Sequence, residues 1–313
     1  MKEKNGAILV LGSLNVDVVT RVAHIPGPGE TLLCQDYRFV PGGKGANQAA
    51  AIARLGGRVW LAGSVGRDFF GEFLKENLRQ AGVDTRLVQE EKTATTGLAL
   101  IMVDRQGENS IVVVGGANRK VGPHRVEGLL PYLRKASFLL LQLEIPLETV
   151  FQALLFARRL SLPVILDPGP ARDLPQSIFP LISFILPNES ETEKLLRVKI
   201  TGIKSARQAA RRLVQLGVKC AVVKLGAKGC VLASQGQTVH LPALSVKAVD
   251  TTAAGDVFAG AFALALAEGR ESLSAAKFAT VAAGLSVTRA GAQTSIPTRR
   301  EVEALIRRKK IKL

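Results

Sequence analysis

The chain has 313 residues, 47% of them hydrophobic, with a mean hydropathy of +0.20, which is enough for a sizeable core and excludes a disordered chain. Its formal charge is +16, yet only 5% of residues are aromatic and the basic residues are spread out, so the base-stacking interleaving of a nucleic-acid binder is missing. The longest apolar runs are of strand length and too short to span a bilayer, so no membrane partner is expected.

The first apolar run, 7–11, reads as a strand with no signal or transit segment before it. The three cysteines, Cys34, Cys220 and Cys230, have no metal-ligand spacing, and with that start they point to a reducing, cytoplasmic setting. Gly12-Ser13-Leu14-Asn15-Val16-Asp17 follows at once. In an extended chain Asn15 and Asp17 point to one side. An amide beside a carboxylate suits the gripping of vicinal hydroxyls or, equally, a polar strand face toward water. A strand-like stretch at 30–40 leads into Gly42-Gly43-Lys44-Gly45-Ala46-Asn47-Gln48, whose glycines allow close backbone approach. No Ser or Thr follows Gly-Lys at the Walker A spacing, so this loop is read as holding a substrate rather than a phosphate. Periodicity predicts helices over 47–55 and 70–81 around a strand at 59–63, with Gly56 and Gly57 closing the first helix.

Between 96 and 116 the rhythm changes. Two alternating strands flank Asp104-Arg105-Gln106-Gly107, a hairpin signal. With the 30–40 stretch they predict a small antiparallel sheet serving as a lid, and its apolar side predicts a homodimer formed through that lid. Strands at 138–143, 164–166, 184–186 and 221–225 then alternate with helices at 147–159, 189–196, 205–216, 257–268 and 274–289. Continuous apolar strands between helices imply an α/β fold, with a mainly parallel sheet covered on both faces. No linker or repeat interrupts it, so one domain over 1–313 is expected, with lid strands from about 14–45 and 93–118. The basic cluster Arg307, Arg308, Lys309, Lys310 and Lys312 reads as the solvated end of a C-terminal helix.

Lone polar residues close four of the buried strands: Glu144, Asp167, Asn188 and Lys224. Ligands of open parallel sheets bind outside such strand ends, so a shared cleft is expected there. Asn188 to Glu191 offers oxygen ligands for Mg²⁺, with Glu191 acting through water, or else a helix capping arrangement. Lys224-Leu225-Gly226-Ala227-Lys228-Gly229 offers glycines and two cations to nucleotide phosphates, or is a turn between strands. The most informative stretch is Asp250-Thr251-Thr252-Ala253-Ala254-Gly255-Asp256, ahead of an apolar helix. A helix start leaves N–H groups unpaired and carries partial positive charge, and small side chains let an anion approach them. With Asp256 beside that cradle, the chemistry suggested is phosphoryl transfer to an alcohol. The plainer reading makes Asp256 a helix-start residue and Ala-Ala-Gly a tight turn.

Taken together, these motifs resemble the PfkB-type sugar kinases, and their ribokinase branch in particular, over essentially the whole chain. The stretch 42–48 looks like the family's first signature and 250–256 like its second; Asn15-Val16-Asp17, Gln142-Leu143-Glu144, Asn188–Glu191 and Lys224–Gly229 are similar as well. The resemblance implies a three-layer α/β/α body with a β lid, and phosphorylation of D-ribose at its 5-hydroxyl by ATP. A related acceptor (2-deoxyribose, another sugar, a nucleoside) is the alternative, and a non-catalytic ligand- or nucleic-acid-binding protein on the same fold a further one. Asp256 is implied as catalytic base, with Ala253, Ala254 and Gly255 as the anion hole. Sugar contacts are implied for Asn15, Val16, Asp17, Gly43, Lys44, Gly45, Ala46, Asn47 and Glu144. ATP contacts are implied for Asn188, Lys224, Leu225, Gly226, Ala227, Lys228, Gly229, Gly255, Asp256 and Thr280. An activating K⁺ is implied at Asp250, Thr252, Ser286, Arg289, Gly291 and Ser295, beside Mg²⁺ at the phosphates. The chain departs from the pattern in three places: Ala253 where many members have Gly, Thr280 where His is common, and Ala227 where a hydroxyl residue is frequent.

Overall fold

The protein is described by a computed structural model covering residues 6–313. Strand β1 (Ile8–Leu11) is four apolar residues whose side chains alternate between the two faces of the central sheet. Ile8 and Val10 enter one core, Leu9 and Leu11 the other. A strand buried on both sides has this composition because neither face meets water. After it come β2 (Asn15–Arg21), β3 (Tyr37–Gly42), α1 (Lys44–Arg54), β4 (Val59–Gly66), α2 (Phe69–Gln80), β5 (Asp84–Glu91), β6 (Gly97–Val103) and β7 (Asn109–Val114). The short helices α3 (His124–Gly128) and α4 (Leu130–Leu133) lead to β8 (Phe138–Leu141), α5 (Leu147–Arg159), β9 (Val164–Leu166) and β10 (Phe184–Ile185). Then follow α6 (Glu189–Leu196), α7 (Ile203–Gln215), β11 (Cys220–Lys224), β12 (Cys230–Ser234), β13 (Gln237–Leu241), α8 (Ala254–Ala267), α9 (Ser272–Ser286) and α10 (Arg299–Arg308).

Nine strands form the main sheet in the order β13-β12-β11-β10-β9-β8-β1-β4-β5. From β11 across to β5 every pairing is parallel, while β12 and β13 join as an antiparallel edge. One core lies under α1, α2, α8, α9 and α10, the other under α3 to α7, which makes the three layers. Helix α8 is apolar all round, as a helix must be when the sheet, α1 and α9 enclose it.

The second sheet, order β3-β2-β6-β7, is the lid. It consists of two antiparallel pairs, β2 with β3 and β6 with β7, joined by a parallel pairing of β2 with β6. Three expectations are corrected. The strand anticipated over 30–40 begins only at Tyr37, because the residues before it pair with no neighbour. Helix α1 starts at Lys44 rather than Asn47, since Gly43, with φ 87°, turns the chain into the helix without a side-chain cap. Strands β5 and β13 went unanticipated, and β12 entered only through the reading of 224–229 as a turn between strands, which the antiparallel pairing of β11 with β12 bears out; β5 is half-exposed and interleaved with charge. The basic tail is exposed from Arg307 to Lys310, as a solvated helix end should be. Among the described residues no helix is long and apolar enough to cross a membrane, and the three cysteines are free.

Candidate active site

The C-terminal ends of β1, β8, β9, β10 and β11 point the same way, and the starts of α1 and α8 meet them there. Two close approaches fix this junction. A Cβ on Gly45 would stand 2.7 Å from the backbone of Gly12 and Ser13, so α1 reaches the end of β1 only with glycine there. The Ala46 N–H then donates to the Ser13 carbonyl (3.0 Å). Glu144, just past β8, accepts from the Lys44 N–H (3.1 Å) and from the Ser13 hydroxyl. A carboxylate at a helix N-terminus satisfies an orphan donor and the helix dipole together.

Asp256 lies one turn into α8 and is only 5% exposed. Its Oδ2 accepts from Asn47 Nδ2 (3.0 Å), its Oδ1 from Gln48 Nε2 (3.2 Å), and Lys44 Nζ stands 3.7 Å away. Asp256 does stand in the first turn of a helix, as the plainer reading has it, but its carboxylate is also buried and held by two amides. Immediately before α8, Ala253 has the left-handed backbone (φ 58°, ψ 9°), a conformation uncommon for residues with a Cβ. A left-handed residue ahead of helical ones turns successive N–H groups to one side, the geometry of an anion-binding nest. Among the described residues the N–H groups of Ala253, Gly255 and Asp256 meet no backbone carbonyl, whereas that of Ala254 donates to Thr251 (3.2 Å). Of the cradle expected from Ala253, Ala254 and Gly255, only the Ala254 N–H is thus engaged by a backbone carbonyl, and the Asp256 N–H joins the open groups. Lys224 Nζ lies 3.4 Å from where a Cβ of Gly255 would stand, which places a cation directly over it.

Two lysines meet at Asp167, which is wholly buried. Lys224 donates to its Oδ1 at 2.9 Å and Lys44 stands 3.8 Å from its Oδ2. Burial alone would raise the Asp167 pKa, but the charges of Lys224 and Lys44 outweigh it and hold the carboxyl below the ordinary range. Burial likewise works against the Lys44 ammonium, and Asp256, Asp167, Glu144 and Glu191 outweigh it, so its pKa is raised. Gly169 makes room for this lysine, since a Cβ there would lie 2.6 Å from Lys44 Cε.

The lid side of the cleft carries Asn15 and Asp17 on one face of β2. Asn118 clamps this segment, exchanging hydrogen bonds with the Leu14 backbone (2.9 and 3.0 Å) and donating to Asn15 Oδ1 (2.7 Å). Burial, then the neighbouring charges of Glu144 and Asp256, push the Asp17 carboxyl up to about 7. Gly42 gives Asp17 its space, a Cβ there falling 2.5 Å from the carboxylate.

The structure sorts the remaining expected residues. Asn15, Asp17, Gly43, Lys44, Gly45, Asn47 and Glu144 border the cleft, but Asn47 spends its amide on Asp256 and on Gln293 (3.2 Å). Val16 and Ala46 have wholly buried side chains, because strand alternation turns Val16 away from Asn15 and Asp17. Asn188 and Glu191 form a capping box: Asn188 Oδ1 accepts from Glu191 N and Glu191 Oε2 from Asn188 N, both at 2.8 Å. Burial first and Asp167 second raise the Glu191 pKa. Gly226–Lys228 is a single 3₁₀ turn after Lys224, with Leu225 buried in the core beneath. Thr280 lines a cavity of about 360 Å³ with Leu241 to Ser245, Val281 and Ile311, and its hydroxyl donates to the Ala276 carbonyl (2.8 Å).

At the edge of the nest, Asp250 Oδ1 accepts from Thr252 N (2.9 Å) and Oδ2 from Gly291 N (2.8 Å). Burial opposes ionisation of Asp250 and these hydrogen bonds prevail, lowering its pKa. Ser286 and Ser295 each turn their hydroxyls to nearby carbonyls, and Arg289 pairs with Glu301, so that only backbone oxygens of Arg289 remain for a cation. A carboxylate held ionised at this edge is the kind of group a hard cation needs. Among the described residues no three His, Cys, Asp or Glu side chains converge on a metal position.

Sequence reasoning placed Asp167 at the cleft and quoted Gln48 and Gln142 within motifs without giving any of the three a role in the chemistry, and it missed Asn118 and Gln293. One signal was available: Asn47 and Gln48 are amides in a helix otherwise buried through Gly, Ala and Ile.

The model of the pfkB family carbohydrate kinases matches residues 5–299. The chain belongs to that family. It is 40% identical over 294 residues to the ribokinase of Haemophilus influenzae, covering 94% of this chain and 96% of that one. It is 38% identical to the deoxyribokinase of Salmonella typhimurium, covering 93% and 95%. The Arabidopsis thaliana ribokinase structure complexed with ribose and ATP superposes with a TM-score of 0.89 at 35% identity, over 96% of this chain and 98% of that one. This pfkB family member is thus an ATP-using sugar kinase whose cleft is the junction of α1, α8 and the lid.

Proposed function

We propose that the chain phosphorylates D-ribose at its 5-hydroxyl with ATP, giving ribose 5-phosphate and ADP. The observation that carries this is the ionisable carboxylate of Asp256 beside the open N–H groups of Gly255 and Asp256, with Lys224 above them. The ribose complex of the Arabidopsis relative supports the acceptor. Asn15, Asp17 and Glu144 hold the ring hydroxyls, with Lys44 alongside, and the primary alcohol faces Asp256. As the phosphoryl group moves to that oxygen, Asp256 takes its proton and the nest and lysines meet the charge spread over the phosphoryl oxygens. Transfer states of this kind are loose, so positioning and fixed charge dominate over proton abstraction. The nucleotide phosphates lie along Lys224 to Gly229 and the base toward Thr280, with Asn188 at their margin.

Mg²⁺ at the phosphates, near Glu191, would add charge neutralisation, and K⁺ around Asp250, Thr252, Ser286, Arg289, Gly291 and Ser295 would stiffen the nest. We read the whole chain as one ribokinase-like unit that is cytoplasmic and dimeric through the lid. The deoxyribokinase relative keeps 2-deoxyribose as second acceptor, and kcat/KM for the two sugars ranks them.

Asp256→Asn is the direct test. Ribose and ATP binding should stay within about threefold of wild type, while turnover falls ~100-fold or more, the scale of general-base loss. Near-normal turnover in that variant removes Asp256 from the mechanism, and a wild-type enzyme idle on both sugars removes the acceptor assignment.

A further inference from the structure

Gln48 is committed at both ends of its side chain. Its Oε1 accepts from Gln142 Nε2 at 2.6 Å, and its Nε2 donates to Asp167 Oδ2 at 2.9 Å and to Asp256 Oδ1 at 3.2 Å. An ionised carboxylate only accepts hydrogen bonds, so two of them fix the nitrogen of this amide and thereby its oxygen. That oxygen in turn obliges Gln142 to present its own nitrogen. The consequence is visible: Gln142 Oε1 is the single buried side-chain polar atom among the described residues without a hydrogen bond. Gly12 leaves the space for it, since a Cβ there would stand 1.9 Å away. An orphaned buried carbonyl is destabilising, and here the cost is incurred in orienting one neighbour.

We propose that Gln48 is a positioning residue for phosphoryl transfer, locking the Asp256 carboxylate to α1 and, through Asp167, to Lys44 and Lys224. The proposal rests on the reading of Asp256 as base. Gln48 lies on α1, Asp167 follows β9 and Asp256 opens α8, so one amide ties three elements together at the cleft floor. Phosphate oxygens entering the cleft would compete with Asp167 for Lys44 and Lys224. The two N–H groups of Gln48 then keep both carboxylates apart and aimed. The charged groups facing this network are Lys44 from α1, Lys224 from β11, Asp17 from β2, Glu144 beyond β8 and Glu191 from α6.

The test compares kcat–pH profiles and both KM values for wild type, Gln48→Glu and Asp167→Asn, with melting temperatures measured alongside. Gln48→Glu replaces two donors by a third carboxylate. It should lower kcat at least tenfold at pH 7 and move the acid limb about one unit higher, like charge favouring protonation. Asp167→Asn removes a negative charge and leaves Lys44 and Lys224 less compensated, so its acid limb should move lower. The ribose KM should stay within about threefold in both. Opposite limb shifts support the proposal. Unmoved limbs, or losses of kcat that merely track melting temperature, overturn it. Where Gln48→Glu does not fold, Gln48→Asn withdraws the amide by one methylene; kcat within twofold of wild type then overturns the proposal. A collapsed Asp256→Asn variant beside indifferent Gln48 variants rejects the positioning role alone.

Discussion

Asp17 is the residue whose ionisation the cleft controls most plainly. Its carboxyl is pushed up to about 7 by burial and by Glu144 and Asp256, against an ordinary value near 4. Between those values the folded chain holds a proton that the unfolded chain has lost, so stability falls as pH rises through that window. Asp17→Asn cannot ionise and should be more stable than wild type at pH 8 by about 2 kcal/mol, discounted because the side chain is partly open to water. The gap should close near pH 4. Hydroxyls donate best to an ionised acceptor, so the wild-type KM for ribose should fall as pH rises through 7. Thermal melts at pH 5 and 8 with ribose saturation curves check both signs, and a pH-independent pair of melting curves would refute the first. At this scale the sequence showed Asp17 and Asn15 as neighbours on one strand face. It did not show Asn118 clamping Asn15, or Gln293 reaching Asn47, because those partners are 103 and 246 positions apart. Contacts of such separation leave no local pattern.

Elements bring the two halves of the site together, and the contact between α1 and α8 is the one that matters most. A Cβ on Gly260 of α8 would lie 2.7 Å from the Gln48 carbonyl and 2.8 Å from Ala51 Cβ of α1. The two helices therefore touch through backbone, with Asn47 and Gln48 on one and Asp256 on the other. Gly260→Val should force them apart, destabilise by about 1–3 kcal/mol as overpacking does, and lower kcat more than binding. Melting curves and single-turnover rates test this; unchanged chemistry in a destabilised protein would show that the spacing is not critical. The elements that were legible have strong local signals. Helix α5 follows Pro146, and α6 carries a capping box whose Asn and Glu stand in the sequence. The start of α1 was hidden because glycine does the capping there, and β5 because this half-exposed strand, interleaved with charge, lacks the strict apolar–polar alternation that marks a strand in the sequence.

For the whole molecule, a formal charge of +16 acts on two processes with opposite sign. ATP is strongly anionic, so a basic surface raises its encounter rate, and salt should weaken that steering. Two copies of the chain repel, so the same salt should help them associate. The lid gives association an apolar surface: Phe39, Leu100 and Val112 lie in one cross-strand row with Val18, on the face opposite Asp17. Val112 is 54% exposed there and Leu100 43%. Burial of such side chains is insensitive to screening, whereas charge repulsion decays over about 8 Å at 0.15 M salt. Raising salt from about 20 to 300 mM, across which the screening length contracts several-fold, should therefore lower kcat/KM for ATP and, if the proposed lid interface forms, favour association of two copies. Val112→Asp should give a monomer at either salt while the ribose side of the lid stays intact. Sedimentation velocity read beside steady-state kinetics distinguishes the cases. A wild type that is monomeric at micromolar concentration in high salt removes the lid as an interface, and a kcat/KM indifferent to salt removes steering as the use of the charge.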